Sequence, residues 1–219
     1  MRQSSEPSAS GRPRTAKGQA TRARIVSAAS QLIFRQGVAH TTLDHVCDAA
    51  DVGRSQLYHY FTDKAALVRA VVEQQTDNVL ASQEPYLTRL DTWDGWRAWR
   101  DRIVTVQRAR AFVGGCPLGS LASALSDFDE GARLAVAAGF DRWADAFRLG
   151  LEAMQRSGQL RPDADPQVLS LAVLAALQGG LLVGQAQRDV RPLEAALDTA
   201  LAYLSGCLCK EASPPPRGR

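Results

Sequence analysis

The sixteen residues from Ala49 to Lys64, Ala-Ala-Asp-Val-Gly-Arg-Ser-Gln-Leu-Tyr-His-Tyr-Phe-Thr-Asp-Lys, constrain this chain more than any other stretch. A short apolar helix (Leu43, Val46, Cys47, Ala50) runs into Asp51, one of the few non-glycine residue types that tolerate a left-handed backbone, as a tight turn requires. Beyond the turn, Leu57 and Phe61 stand four residues apart and so share one helical face. Arg54, Ser55, Gln56, Tyr58 and Tyr60 are left to face outward. The pattern predicts the second half of a helix-turn-helix. An exposed helix carrying an Arg, a Gln, hydroxyls and aromatics can read base edges in a major groove and grip phosphates.

The other periodic segments are all helical and none sustains strand alternation, which predicts an all-α chain. A first helix is expected from about Thr21 to Gln36, with Ile25, Ala29, Leu32 and Ile33 inward and Gly37 as a left-handed cap. A second starts after Thr41 or Thr42, whose hydroxyl can hold free backbone N–H groups. The third, Arg54 to Tyr60, would be the recognition helix. Asp63 and Lys64 open a long fourth helix to about Ser82, and Lys64 beside that positive helix end suits a phosphate. The expected organisation is a disordered basic arm (1–20), a three-helix helix-turn-helix domain (21–66), a larger helical ligand-binding and dimerisation domain (67–208) and a disordered tail (209–219).

Thr41-Thr42-Leu43, Ala49-Ala50-Asp51-Val52 and Leu57-Tyr58-His59-Tyr60-Phe61-Thr62-Asp63-Lys64-Ala65-Ala66-Leu67 together resemble the DNA-binding signature of TetR/AcrR-type transcriptional regulators. The resemblance spans about fifty residues. It departs at Asp51, where Gly is usual, and at Gln56, where a small Thr or Ser is usual; the second change bears on base preference. The resemblance implies DNA contact by Thr42, Arg54, Ser55, Gln56, Tyr58, Tyr60 and Lys64. Chemistry sorts them: Arg54 and Gln56 can reach base edges, while Thr42, Tyr58 and Lys64 suit phosphates. His40, His45 and His59 are the only histidines. His45 or His59 can reach a phosphate or pack ordinarily on the surface, and none has a metal-ligand spacing.

Charge placement agrees with this orientation. The net charge is only +3, yet residues 1–24 hold six Arg or Lys against one Glu, and the tail from Lys210 is also positive. The stretch between is net negative, so the positive end is the DNA-binding end. The N-terminal arm either dips into a minor groove or only solubilises. It lacks the apolar segment of a secretory signal, which predicts a cytoplasmic protein.

In the body, Trp93, Trp96, Trp99 or Arg100, and Ile103 form one stripe, and Val136, Phe140, Trp143, Phe147, Leu151 and Met154 another. Spacings of three and four put each set on one face. Such stripes either pack a core or line a pocket for a flat or apolar molecule. Between them lies Phe112-Val113-Gly114-Gly115-Cys116-Pro117-Leu118-Gly119. Its Gly-Cys-Pro-Leu-Gly segment resembles that of the TetR-type subgroup related to the LmrA and YxaF repressors, which implies a drug- or metabolite-responsive repressor. The expected ligand contacts are Trp96, Trp99, Phe112, Cys116, Trp143, Phe147 and Gln178. Cys116 at a helix N-terminus is either a reactive thiol or a small buried filler. Cys207 and Cys209 form a lone two-residue spacing, weak for metal, and no cofactor is expected.

Val168 to Gly184 is the most apolar segment of the chain. Interrupted by Ser170, Gln178 and glycines, it is expected to be a buried helix short of the roughly 20 residues that span a bilayer. Two adjacent glycines, Gly179 and Gly180, cost roughly 1 kcal/mol each in a helix; close approach of a second backbone would offset this. With Leu193, Leu197, Leu201 and Leu204 of the next helix, the segment is expected to form half of a four-helix dimer interface through Leu174, Leu177, Gly180, Leu181, Leu193, Leu197 and Leu201, or else a purely internal core. Gln178 is either a ligand contact or a satisfied amide.

No Gly-rich phosphate loop, nucleophile elbow, or His or carboxylate pair near Cys116 supports an enzyme. The reading is therefore a homodimer placing two Arg54–Tyr60 helices in successive major grooves, roughly 34 to 36 Å apart, on a palindromic double-stranded operator. A small, largely apolar or aromatic effector would release it. The alternative is a thiol-based redox or electrophile sensor acting through Cys116.

Overall fold

The structure, a computed structural model, describes residues 15–125 and 129–209. The tail from Lys210 and the first fourteen residues of the predicted arm lie outside them. Helices α1 (Ala16–His40), α2 (Leu43–Ala50), α3 (Arg54–Tyr60), α4 (Lys64–Ala81), α5 (Trp93–Ala109), α6 (Pro117–Leu125), α7 (Glu130–Arg156), α8 (Pro166–Gln187) and α9 (Arg191–Gly206) make up nearly all of it. The all-α expectation holds; among the described residues the one β-type pairing is the isolated Leu160–Leu208 bridge.

The chain divides into two compact units. One holds residues up to Gln75 with 121–136; the other holds 76–120 and 137 onward. Two predicted boundaries move. Residues 16–20, assigned to a disordered arm, are already helical, because Thr15 accepts the Gly18 N–H at 3.1 Å and Ala, Lys and Gln are strong helix formers. Their side chains are largely exposed, so apolar periodicity could not reveal them. The 66/67 boundary falls inside α4. Leu67, Val68, Val71 and Val72 are buried, and Gln75 donates to Ser30 Oγ at 2.9 Å, so the part of α4 from Lys64 to Gln75 belongs with the N-terminal unit.

Within that unit, Ile25, Ala29 and Ile33 of α1, Val46 and Ala50 of α2, Leu57 of α3 and Phe61 are buried. Gly37 breaks α1 at φ +81°, a left-handed value that favours glycine, although helical turns resume to His40. Asp51 ends α2 at φ 49°, ψ 58°, the left-handed turn its residue type allows. Arg24 Nε bonds the Ala50 carbonyl at 2.8 Å and so fastens α1 to that turn.

In the second unit α8 and α9 pack as an antiparallel pair. Gly180 sits so close to α9 that an added Cβ would lie 2.8 Å from Leu193 Cα, the close approach the paired glycines imply; Gly179 faces open space. The α8 helix has 22 residues and is long and apolar enough to cross a membrane by length and composition. The expectation that it falls short of a span is therefore wrong, since Pro166, capped by Asp165, starts the helix before the apolar run. One face of α8 (Leu169, Val173, Leu177, Leu181) is nevertheless buried, as in a core helix.

Candidate DNA-binding face and ligand cavity

The α3 helix buries Leu57 alone and exposes Arg54, Ser55, Gln56, Tyr58 and His59; Tyr60 is half-buried, its ring edge-on to His59 at 5.0 Å. Tyr58 is 54% exposed, unusual for an aromatic in a folded unit. Thr42 Oγ1 accepts the His45 N–H at 3.1 Å to cap α2, which leaves its own proton to donate to a phosphate. His45 Nδ1 lies 3.4 Å from Gln36 Nε2, exposed beside that cap.

Two predicted contacts have partners within the unit. Arg54 Nη2 bonds Asp44 Oδ2 of α2 at 2.5 Å, and this bond holds the guanidinium above its ordinary pKa. Asp44 thereby aims Arg54 across the mouth of the motif, a role absent from sequence reasoning although Asp44 stands ten residues before it. Lys64 Nζ donates to the Val38 carbonyl at 2.6 Å, and burial lowers its pKa. Lys64 thus also joins the start of α4 to the end of α1. Arg22 adds a cation over the Phe61 ring at 5.2 Å.

The second unit contains a cavity of about 140 Å³. One face of α5 supplies Arg102, Ile103, Val106 and Gln107, with Arg110 at its end; Val79 and Ser82, Cys116, Trp143, Leu177 and Leu181 complete most of the wall. Of seven predicted ligand contacts, Cys116 and Trp143 line it. Trp96, Trp99 and Phe147 do not: they are fully buried against one another, with ring centroids 4.9 to 5.9 Å apart. Trp96 Nε1 is spent on the Leu90 carbonyl and Trp99 Nε1 on Gln83 Oε1, both at 2.9 Å. These rings are core. Phe112 is buried against Gly184, where a Cβ would meet its ring at 2.5 Å. Gln178 is not a lining residue; it stands over Gly119 beside Cys116.

Around the cavity the polar accounts do not close. Among the described residues, Trp143 Nε1 and Gln107 Oε1 are buried with no hydrogen-bond partner. Gln107, Arg102 and Arg110 escaped sequence reasoning, though the spacing 102, 103, 106, 107, 110 marks one helical face. Cys116 is buried, and burial pushes its thiol above the ordinary value, against the weaker opposing pull of the Gly119 N–H, 3.4 Å from Sγ, and the Gln178 amide. Among the described residues, no group of three or more His, Cys, Asp or Glu could hold a metal.

The predicted dimer residues also change role. Leu174, Leu177, Gly180, Leu181, Leu193, Leu197 and Leu201 are all buried within the single chain, where they pack the α8–α9 pair or line the cavity. The large apolar residues α8 leaves exposed are Val168, Leu171, Leu182 and Val183, with Leu182 66% exposed; Tyr203 of α9 is equally so. An all-round apolar helix hides which faces its own chain covers.

Residues 25–71 match the family described as "Bacterial regulatory proteins, tetR family", and residues 95–200 match "Tetracyclin repressor-like, C-terminal domain". An HTH-type transcriptional regulator of Lactococcus lactis subsp. lactis is 26% identical over 186 residues, 81% of this chain and 90% of the relative. A TetR transcriptional regulator from Chloroflexus aurantiacus superposes with a TM-score of 0.70 at 26% identity, over 89% of this chain and 98% of that one. A TetR-family regulator from Cytophaga hutchinsonii shares the fold at a TM-score of 0.73 and 17% identity, over 91% and 100%. The two family matches together take in well over half of the chain, which belongs to the TetR family and is a DNA-binding transcriptional regulator, not an enzyme.

Proposed function

We propose that this chain is a cytoplasmic, homodimeric repressor of the LmrA/YxaF-like kind, held on a palindromic operator and released by a small molecule bound in the second unit. The observation that carries the DNA half is the α3 face: Arg54, Ser55, Gln56 and Tyr58 exposed around one buried Leu57, with Thr42 and His45 exposed nearby at the start of α2. Arg54 and Gln56 read base edges; Thr42, His45, Ser55, Tyr58, Tyr60 and Lys64 position the phosphates.

Dimerisation uses the exposed apolar side of α8, Val168, Leu171, Leu182 and Val183, with Tyr203 of α9. A contiguous apolar stripe of this kind marks an association surface. Release works through α4, whose Val79, with Ser82 just beyond, lines the cavity while Lys64 begins the same helix. A ligand that displaces this end changes how the two recognition helices are presented, and a coupling of roughly 1 to 3 kcal/mol suffices. The test is operator binding followed by fluorescence anisotropy with increasing effector: affinity must fall on saturation, and an unchanged affinity rejects release.

The second reading, a Cys116 thiol sensor, rests on Cys116 lining the cavity. Burial opposes it, because a raised pKa keeps the thiol protonated and unreactive near neutral pH. Cys116→Ser separates the two: a thiol sensor loses its response and a non-covalent receptor keeps most of it.

A further inference from the structure

Buried polar groups without partners are costly, and a folded chain that keeps two of them on one cavity wall keeps them for something that completes their bonds. Trp143 Nε1 is a donor only, so its missing partner is an acceptor. Gln107 presents one free end of its amide; a hydroxyl serves it in either amide orientation, since it both donates and accepts. Arg102 and Arg110, both exposed to solvent, stand at the rim of the cavity, no carboxylate lines it, and neither guanidinium has an ion-pair partner among the described residues. The rest of the wall is largely apolar, with Val79, Ile103, Val106, Leu177 and Leu181.

We propose that the cavity takes a hydroxylated, ring-sized monocarboxylate: the ring against the apolar wall, the carboxylate accepting from Trp143 Nε1 and facing the two arginines, the hydroxyl on Gln107. A volume of about 140 Å³ fits one six-membered ring with small substituents. The assignment rests on the ligand-released repressor reading and names its ligand class. It also gives a role to Gln107, the buried amide that α5 carries on the face bearing Ile103 and Val106.

The experiment titrates the full-length chain with 4-hydroxybenzoate, 4-hydroxybenzamide and benzoate by calorimetry, and follows operator binding in parallel. The acid is expected to bind about tenfold or more tightly than its neutral amide, the scale of one charge-assisted hydrogen bond. The Arg102→Ala, Arg110→Ala double variant erases that preference, and Trp143→Phe weakens the acid by a similar factor. Gln107→Leu is the control for folding. It abolishes the preference for 4-hydroxybenzoate over benzoate while raising the melting temperature of the free protein by roughly 2 to 6 °C, because a buried unpaired oxygen is gone. Equal binding of acid and amide, no binding by any of the three, or a Gln107→Leu variant less stable than the parent overturns the assignment. Binding as expected with no effect on the operator refutes release instead and leaves the site standing; release by a neutral effector without acid binding does the reverse.

Discussion

The close approach of α8 to α9 offers a sharp test, because two neighbouring glycines of α8 should respond to the same substitution with opposite sign. Ala in place of Gly inside a helix gains about 1 kcal/mol from backbone entropy. At Gly179 nothing of the same chain lies within 4 Å of the new Cβ, so within the single chain Gly179→Ala should realise that gain. At Gly180 the Cβ would stand 2.8 Å from Leu193 Cα, 3.1 Å from Leu193 Cδ1 and 3.3 Å from Ala196 Cβ. The first of these is backbone and cannot rotate away, so the α8–α9 pair must part by several tenths of an ångström. Overpacking of this kind costs roughly 1 to 3 kcal/mol, enough to cancel the helical gain and leave a net loss near 1 kcal/mol. The two variants should therefore differ by about 2 kcal/mol, or roughly 4 to 8 °C in melting temperature for a chain of this size. Scanning calorimetry at one fixed protomer concentration measures it. A Gly180→Ala variant stabilised as much as Gly179→Ala would refute the close approach.

Other consequences follow from single contacts. Burial raises the pKa of Cys116, so alkylation by iodoacetamide should reach Cys209, which is exposed, well before Cys116, and the Cys116 rate should climb only above the ordinary thiol value; labelling followed by mass spectrometry would contradict this if Cys116 led. By the same shift, the stability owed to a neutral Cys116 is complete below the ordinary thiol pKa and is lost as pH rises through the higher folded value. Lys64→Ala should weaken specific and random DNA alike, reduce the salt slope by about 1, and also lower the melting temperature, since its bond to the Val38 carbonyl goes with it; a purely DNA-side effect with unchanged melting argues against the structural bond. Leu182→Glu places a charge on the exposed α8 face and should yield monomers in sedimentation velocity, whereas an unaltered dimer would move the interface elsewhere.

What the sequence could convey followed from how local each decision was. The left-handed turn at Asp51, the Thr42 cap and the single buried Leu57 of α3 are settled within a few residues, and all stand where their spacing puts them. The Trp96–Trp99 stripe was equally compatible with core and pocket. Tertiary partners decided it: the Leu90 carbonyl and Gln83 take both indole N–H groups, while Trp143, on another helix, is left without one. Nothing in the spacing of α5 marks Gln107 as buried; its burial on the wall of the cavity that Trp143 also lines is a tertiary fact. For α8, leucines on every side of the helix hide which of them α9 covers, so spacing alone does not separate the inward set from an association face.

The central claim is that the Arg54–Tyr60 helix reads an operator, and selection from random and genomic DNA fragments tests it most directly. Purified full-length protein and an Arg54→Ala, Tyr58→Ala variant are carried through the same selection at one fixed salt concentration. The account predicts a palindrome enriched by the parent and lost by the variant. No enrichment by the parent, or the same palindrome from both, would contradict it.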